Sequence, residues 1–147
     1  SYGQVGEYLL GGKPSGYYTE ASSIVEKMEQ GEKGVIDYEA EPIMKELLSK
    51  KDFGKYTDKT TGKLHLCFLS NNDITGGNSG SPMFNGKGEL IGLAFDGNWE
   101  SMCGDITFEP ELQRCIAVDI RYVLLIIDKY AGATNLINEM TLNKSAE

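Results

Sequence analysis

The stretch GGNSGSP, residues 76–82, crowds three glycines and a proline around Ser79. Gly, Asn, Ser and Pro are the residues that turns prefer, so a plain turn is one explanation. The other explanation is chemical, because a serine hydroxyl becomes a nucleophile beside a base and glycine frees backbone N–H groups to stabilise an oxyanion. Ser79 would then be the nucleophile, and the N–H groups of Gly77 and Ser79 would form the oxyanion hole. The stretch alone favours the plain turn.

A base for Ser79 is hard to find in this chain. His65 is the only histidine, so a triad would have to combine it with Asp73 and Ser79. His65 lies in the run KLHLCFL, where strand alternation places it on the face of Lys63 and Cys67. We expect a structural or solvated histidine here, without a catalytic role.

The composition argues against several other classes of function. A formal net charge of −8 disfavours a nucleic-acid partner. The apolar run at residues 123–127 is too short to span a bilayer, and no carboxylate and histidine cluster has metal-ligand spacing. We therefore expect no nucleic acid, no membrane span, no metal and no cofactor. Of three cysteines, at least one should be a buried small residue, whereas a Cys103–Cys115 disulfide is left open.

Hydrophobic periodicity predicts a mainly β fold in a single domain, residues 1–147, with helices at two places. Residues 1–19 should form a strand and a Gly/Pro loop. Residues 20–56 should be a helical excursion, with one helix ended by Gly31 and Gly34 and a second starting near Pro42. The apolar faces of these helices should comprise Ile24, Val25 and Met28, and Ile43, Met44, Leu47 and Leu48.

Residues 63–118 should carry the remaining strands and the serine loop. KLHLCFLS predicts a strand, PMFN and LIGLAFDGNW predict a hairpin around a GKGE turn, and CIAVDI predicts a further strand. From residue 119 to 140 the period becomes 3.6, which predicts one C-terminal helix, with Asp119 as its N-cap and Gly132 in the C-cap region.

The order of these elements after Ser79 resembles the C-terminal barrel of trypsin-like serine peptidases, in which G-D-S-G-G-P leads into a hairpin. A narrower resemblance covers nearly the whole chain. SYGQVGEY, VEKME, KELLSKKDFGKY, FLSNNDITGGNSGSPMFNGKGELIGLAFDGNWE, GDI, ELQR and VDIRYVLLIIDKYAGATNLINEM are similar to the bacterial dipeptidyl-peptidase VII and XI family.

This resemblance implies an antiparallel trypsin-like β-barrel, the C-terminal half of a double-barrel serine exopeptidase that removes dipeptides from peptide N-termini. It also implies a periplasmic or cell-surface location in a Gram-negative bacterium, and a homodimer. The catalytic His and Asp, and an inserted helical domain, lie in the N-terminal part of such enzymes. Because the chain starts at Ser1 without a methionine, we expect a piece of a longer protein. Because the catalytic His and Asp of the resemblance lie in the missing part, we expect this piece to be inactive alone.

The resemblance also carries over individual residues. Ser79 matches the nucleophile, with Gly77 and Ser79 as oxyanion donors. Asn78 replaces the usual Asp, so zymogen activation through an ion pair with a new N-terminus is not expected. Gly97 stands 18 places after the nucleophile. In the family, glycine at this position accompanies a preference for a hydrophobic residue before the scissile bond, and arginine accompanies a preference for Asp or Glu. The resemblance is therefore closer to dipeptidyl-peptidase VII. The expected substrate pocket comprises Gly97, Phe95, Asp96, Thr75 and Gly76.

Alternatives stay open at this point. Gly97 could simply open the DGN turn, and Phe95 and Trp99, instead of walling a pocket, could belong to the core. The parent enzyme could prefer Asp or Glu before the scissile bond. A third alternative is a non-catalytic peptide-binding barrel that has lost its chemistry.

Overall fold

A computed structural model describes residues 1–103 and 107–143, with only the backbone of Cys103. These residues form two compact units that interleave along the chain. The first comprises Ser1–Thr19 and His65–Ile120, and the second comprises Glu20–Leu64 and the described residues from Arg121 onward. The single domain expected over 1–147 stays a prediction.

The first unit contains a five-stranded sheet and a small hairpin. Strands β1 and β2 pair with each other, and the larger sheet has the order β3-β4-β7-β6-β5. Its pairs β4–β7, β6–β7 and β5–β6 are antiparallel. The strands are β1 (Leu9–Leu10), β2 (Lys13–Pro14), β3 (Tyr18–Glu20), β4 (His65–Ser70), β5 (Pro82–Phe84), β6 (Leu90–Gly97) and β7 (Cys115–Asp119).

Three buried side chains form one row across the middle of this sheet. Phe68 on β4 pairs with Ala117 on β7, which pairs with Ala94 on β6. The alanines leave room for the Phe68 ring, and Gly92 leaves more, since a Cβ atom there would lie 2.6 Å from ring atom Cε1. The small residues of β6 are therefore explained by close packing.

A β-bulge interrupts β6 just after this row. Ala94 pairs with Ala117 and Asp96 with Ile116, so Phe95 is an extra residue between two paired ones. Regular alternation would turn Phe95 and Asp96 to opposite faces, but both are exposed. A bulge re-aims side chains in this way, and here it does so beside the serine loop.

The strands at 63–118 and the hairpin are confirmed, but two predictions for this unit are not. In the described part of the chain β3 and β5 are the edges of an open sheet, so a closed barrel is not confirmed. Residues 1–19 were expected to hold one strand and a loop. They instead form the β1–β2 hairpin and β3, because Gly11 and Gly12 make a tight turn that lets Pro14 lie in an edge strand.

The second unit is helical. Helix α1 (Ala21–Glu32), α2 (Pro42–Lys50) and α3 (Ile120–Leu125) are followed by α4 (Thr134–Glu139). The helix α3 continues through a π-helical turn, Ile126–Tyr130. Their apolar faces surround one cluster of buried residues: Ala21, Leu48, Tyr56, Leu64 and Leu125. Pro42 is in the first turn of α2, as predicted.

Two helix predictions are wrong in detail. Gly31 does not end α1 but lies inside it. It is buried against the backbone of Tyr38, and an added Cβ would collide with the Tyr38 carbonyl oxygen. The single helix expected over 119–140 is broken, because Gly132 follows the end of the π-helical turn and α4 starts anew at Thr134. Asp119 is the last residue of β7 and is buried.

Among the described helices, none combines the length and apolarity needed to cross a membrane.

Candidate active site

The serine loop consists of two consecutive turns. The Asn78 N–H donates to the Thr75 carbonyl at 3.2 Å, and the Ser81 N–H donates to the Asn78 carbonyl at 3.0 Å. The third residue of each turn is a glycine with positive φ, 96° at Gly77 and 84° at Gly80. A type II turn needs this conformation, which glycine adopts without strain. The plain-turn explanation of the glycines is therefore correct as far as the backbone is concerned.

The turns leave two backbone donors free. Within the described residues, the N–H groups of Gly77 and Ser79 make no hydrogen bond. The neighbouring Gly80 N–H, by contrast, donates to the Ala94 carbonyl at 2.7 Å and fastens the loop to β6. The Asn78 side chain stiffens the first turn by accepting from the Thr75 N–H at 2.9 Å. A fixed loop with unpaired N–H groups is the arrangement an oxyanion hole requires.

Ser79 and the expected pocket residues lie together. The exposed Ser79 hydroxyl donates to the Phe95 carbonyl at 3.3 Å, across to the bulge of β6. An open pocket of about 300 Å³ lies at this contact. Its lining includes Ser79 and all five residues of the expected substrate pocket, namely Thr75, Gly76, Phe95, Asp96 and Gly97. Gly77, expected as an oxyanion donor, does not line it.

The far wall of the pocket comes from the 3-10 helix Trp99–Cys103, which follows β6. Gly97 pairs with Cys115 at the end of β6 and does not have a positive φ, so its backbone conformation does not by itself require a glycine. A Cβ atom on Gly97 would lie 2.9 Å from the Ser101 Cβ. Sequence reasoning missed Ser101 and Met102, which line the pocket, because only the direction of the chain after β6 brings them there.

Asn98 is also missed by sequence reasoning. It is buried, and its side-chain carbonyl accepts from the Ser101 hydroxyl at 2.6 Å and from the Arg114 N–H at 2.7 Å. Its amide group donates to the Glu100 carboxylate and to the Leu112 carbonyl, both at 2.8 Å. All four hydrogen bonds of this side chain are made, which fixes the turn between β6 and the 3-10 helix. An Asn directly after a strand was the available signal, but it is a weak one.

The aromatic residues near the pocket are not core residues. Trp99 is 82% exposed and Phe95 is 46% exposed, so the alternative that placed them in the core is wrong. The bulge turns Phe95 outward, and the 3-10 helix carries Trp99 away from the sheet. The charge at the pocket is negative, since Asp96 lines it and no Lys or Arg does among the described residues.

A base for Ser79 is not present in the described part of the chain. No histidine or carboxylate there is hydrogen-bonded to the Ser79 hydroxyl. His65 is buried and stacks on Tyr18 with ring centroids 3.9 Å apart. It lies on β4, separated from β6 by β7, so about 10 Å of sheet lies between the two strands. His65 is a residue of the sheet, and it does not meet Ser79.

The two cysteines whose side chains are described supply neither a nucleophile nor a bridge. Cys67 and Cys115 are free thiols, so Cys115 does not form the bridge to Cys103 that was left open. Burial raises the pKa of both thiols, which keeps them protonated. Cys115 is fully buried, as expected for at least one cysteine. The described residues hold no group of three or more His, Cys, Asp or Glu that could bind a metal ion.

Comparisons with known proteins identify the family of this chain. A family model described as Peptidase S46 matches residues 1–142. Two curated relatives are named dipeptidyl-peptidase 7. The one from Capnocytophaga gingivalis is 55% identical over 86% of this chain, and the one from Porphyromonas endodontalis is 54% identical over 98%. An Asp/Glu-specific dipeptidyl-peptidase from Capnocytophaga gingivalis is 50% identical over 86% of the chain.

Solved structures give the same result. The crystal structure of Porphyromonas endodontalis DPP11 in complex with the dipeptide Arg-Glu superimposes with a TM-score of 0.85 and 39% identity, covering 93% of this chain and 19% of that one. The chain spans 17% of the length of each of the three curated relatives named above. The GDI segment of the resemblance, residues 104–106, lies outside the described residues. On the match over 1–142 and these identities, the chain belongs to the peptidase S46 family.

Proposed function

We propose that this chain is the part of a serine dipeptidyl-peptidase that carries the nucleophile, and that the parent enzyme releases dipeptides from peptide N-termini. The relatives named dipeptidyl-peptidase support the reaction class. One observation carries the assignment of the site. Ser79 lines a pocket with the residues expected to hold the substrate, and the N–H groups of Gly77 and Ser79 beside it are unpaired within the described residues.

In the proposed reaction the Ser79 Oγ attacks the carbonyl carbon of the scissile bond and forms an acyl-enzyme that water then hydrolyses. The proton of Ser79 passes to a base and from there to the leaving amine. The Gly77 and Ser79 N–H groups donate to the oxyanion, each contributing about 3–4 kcal/mol of transition-state stabilisation. The hydroxyl must first give up its bond to the Phe95 carbonyl.

We further propose that the base and its orienting carboxylate lie outside this chain, in the remainder of the longer protein. The burial of His65 and its position on β4 support this. It follows that the chain alone releases no dipeptide. Release by the chain alone that is abolished by Ser79→Ala would contradict this location of the base.

For specificity, we propose a hydrophobic residue before the scissile bond. Gly97 offers no cation, and Asp96 adds negative charge to the pocket. An acidic side chain bound there would lose its water without gaining a partner, at a cost of several kcal/mol. The alternative is an acidic preference, which the similarity to Asp/Glu-specific relatives keeps as a candidate.

The test uses the longer protein and fluorogenic dipeptides with Leu or Asp before the scissile bond. Ser79→Ala should lower kcat by about 10⁴-fold or more. Ser81→Ala removes the second serine hydroxyl of the loop, which makes no side-chain hydrogen bond within the described residues, and should leave kcat unchanged. Faster turnover of the Asp substrate would contradict the hydrophobic preference. Absence of dipeptide release from any substrate by the wild-type longer protein would favour the non-catalytic binding barrel.

Three further proposals rest on the family resemblance. We propose that the open sheet closes into a trypsin-like barrel in the longer protein, that this protein is a homodimer, and that it resides in the periplasm or at the cell surface of a Gram-negative bacterium. A structure of the longer protein, analytical ultracentrifugation and cell fractionation would test them in turn.

A further inference from the structure

The space beside Gly97 is already partly filled by Ser101. A Cβ atom at position 97 would lie 2.9 Å from the Ser101 Cβ and 3.3 Å from its Oγ, whereas the next atom, the Arg114 carbonyl oxygen, is 3.8 Å away. Since a Cβ is fixed to the backbone, Ser101 cannot yield by rotating its side chain. Because Gly97 has no side chain, the pocket extends past it, but only until it reaches Ser101.

Two hydrogen bonds to Asn98 hold Ser101 in this place. Its hydroxyl donates to the Asn98 side-chain carbonyl at 2.6 Å, and its N–H donates to the Asn98 backbone carbonyl at 2.9 Å. Asn98 is itself bound to Arg114, because the Asn98 N–H donates to the Arg114 carbonyl at 2.9 Å and the Arg114 N–H returns a bond to the side chain. A buried side chain with every hydrogen bond made is a rigid support.

We propose that Ser101 is a second specificity-determining residue of this site, that it sets with Gly97 the depth of the pocket for the residue before the scissile bond, and that Asn98 is its positioning residue. The inference rests on the proposed function. It has a consequence for position 97, because any side chain introduced there must displace Ser101. Specificity is then a property of the pair and not of Gly97 alone.

The first experiment varies the size of residue 101 in the longer protein. Substrates carry Ala, Leu or Phe before the scissile bond, and kcat/KM is measured for each. Ser101→Val fills the bottom of the pocket and should lower kcat/KM for Leu and Phe by about ten-fold or more, the usual effect of one or two misplaced methyl groups, with less than about a three-fold change for Ala. Ser49→Val on the exposed face of α2 is the matched control and should change none of them.

The second experiment tests the contact itself by a double-mutant cycle. Gly97→Ala should lower the midpoint of thermal unfolding and the kcat/KM for Phe, because its Cβ collides with Ser101. Adding Ser101→Gly removes the colliding atom and should restore both at least in part, so that the two substitutions are not additive. This cycle remains informative if Ser101→Val fails to fold. Additive effects would overturn the proposed contact.

The role of Asn98 is tested by a selectivity ratio. Asn98→Ala should reduce the ratio of kcat/KM for Leu over Ala, since the Ser101 hydroxyl loses its 2.6 Å bond to the Asn98 side chain and the pocket wall moves. An Asn98 that only stabilises the fold would lower both values equally and leave the ratio unchanged, which would contradict a positioning role.

The outcomes separate this inference from the proposed function. If the wild-type longer protein releases no dipeptide, or if its activity survives Ser79→Ala, the proposed function fails. If the enzyme is active through Ser79 but Ser101→Val changes all three substrates equally, the proposed function stands and the specificity role of Ser101 is wrong.

Discussion

The glycine at position 77 is explained by the geometry of the turn, and its presence affects the backbone donors of the proposed oxyanion hole. Its cause is the turn from Thr75 to Asn78, which requires a positive φ at the third position. Its consequence is that the Gly77 N–H makes no hydrogen bond within the described residues. A turn and a catalytic loop are therefore not competing explanations of GGNSGSP, because the turn is how the donors become available.

Gly77→Ala in the longer protein tests this link at the scale of one residue. Nothing lies within 4 Å of the added Cβ, so the change acts only through the positive φ, which costs an L-residue about 1–2 kcal/mol. The peptide should rotate to relieve this strain and turn its N–H away from the oxyanion. We expect kcat to fall by about 10²-fold with little change in KM, measured on the Leu substrate.

The matched control is Gly62→Ala. Gly62 also has a positive φ and empty space around its Cβ, but it lies in the turn after Asp58 in the helical unit. The same backbone strain there should leave kcat unchanged. Equal losses of kcat in both variants would mean that Gly77 acts through stability and not through the oxyanion.

At the scale of elements, β6 combines two demands. Its first half must approach the Phe68 ring closely, which is why Gly92 and Ala94 are small. Its second half must face the serine loop, which the bulge at Phe95 achieves. The strand is thus packed at one end and open at the other.

Gly92→Ala should destabilise the sheet. The new Cβ would lie 2.6 Å from both the Phe68 ring and the Val118 carbonyl oxygen, and the second of these belongs to the paired backbone. Overpacking of this kind costs about 1–3 kcal/mol, visible as a lower thermal midpoint. Gly86→Ala, where the added Cβ meets nothing within 4 Å and φ is not positive, should leave the midpoint nearly unchanged. Equal midpoints for the two variants would refute the packing role of Gly92.

Strands with a regular hydrophobic pattern were predictable from the sequence. The bulge in β6 and the return of the chain after it were not. Alternation in KLHLCFLS and LIGLAFDG predicts β4 and β6, and the serine loop between β4 and β5 follows from its turn residues. The bulge at Phe95 and the return of Ser101 against Gly97 depend on contacts between residues that share no local pattern. For the same reason the sequence left open whether Trp99 walls a pocket or belongs to the core, because the residue type does not indicate which way an aromatic side chain faces.

At the scale of the whole molecule, the site is incomplete within the described residues. The chain supplies a serine, two free N–H donors and a pocket, but the described residues present no base to Ser79. It spans 17% of the curated relatives named above. The helical unit has its own buried cluster.

The stability of the helical unit should depend on pH through Asp58. Burial alone would raise the pKa of this carboxyl, but hydrogen bonds from Arg121 and Thr61 outweigh burial and hold the pKa well below its usual range. A folded pKa below the unfolded value of about 3.9 means that the carboxylate stabilises the fold above that pH, and that this contribution is lost as the pH falls towards the folded pKa. Asp58→Asn should therefore cost about 1–3 kcal/mol at pH 7 and less at pH 3, where the thermal midpoints of the variant and the wild type should approach each other.

The matched control is Asp37→Asn. Asp37 is an exposed carboxylate in no ion pair within the described residues, so this variant should differ little from the wild type at either pH. A constant difference between Asp58→Asn and the wild type from pH 7 to pH 3 would show that Asp58 acts through the geometry of its turn and not through its charge.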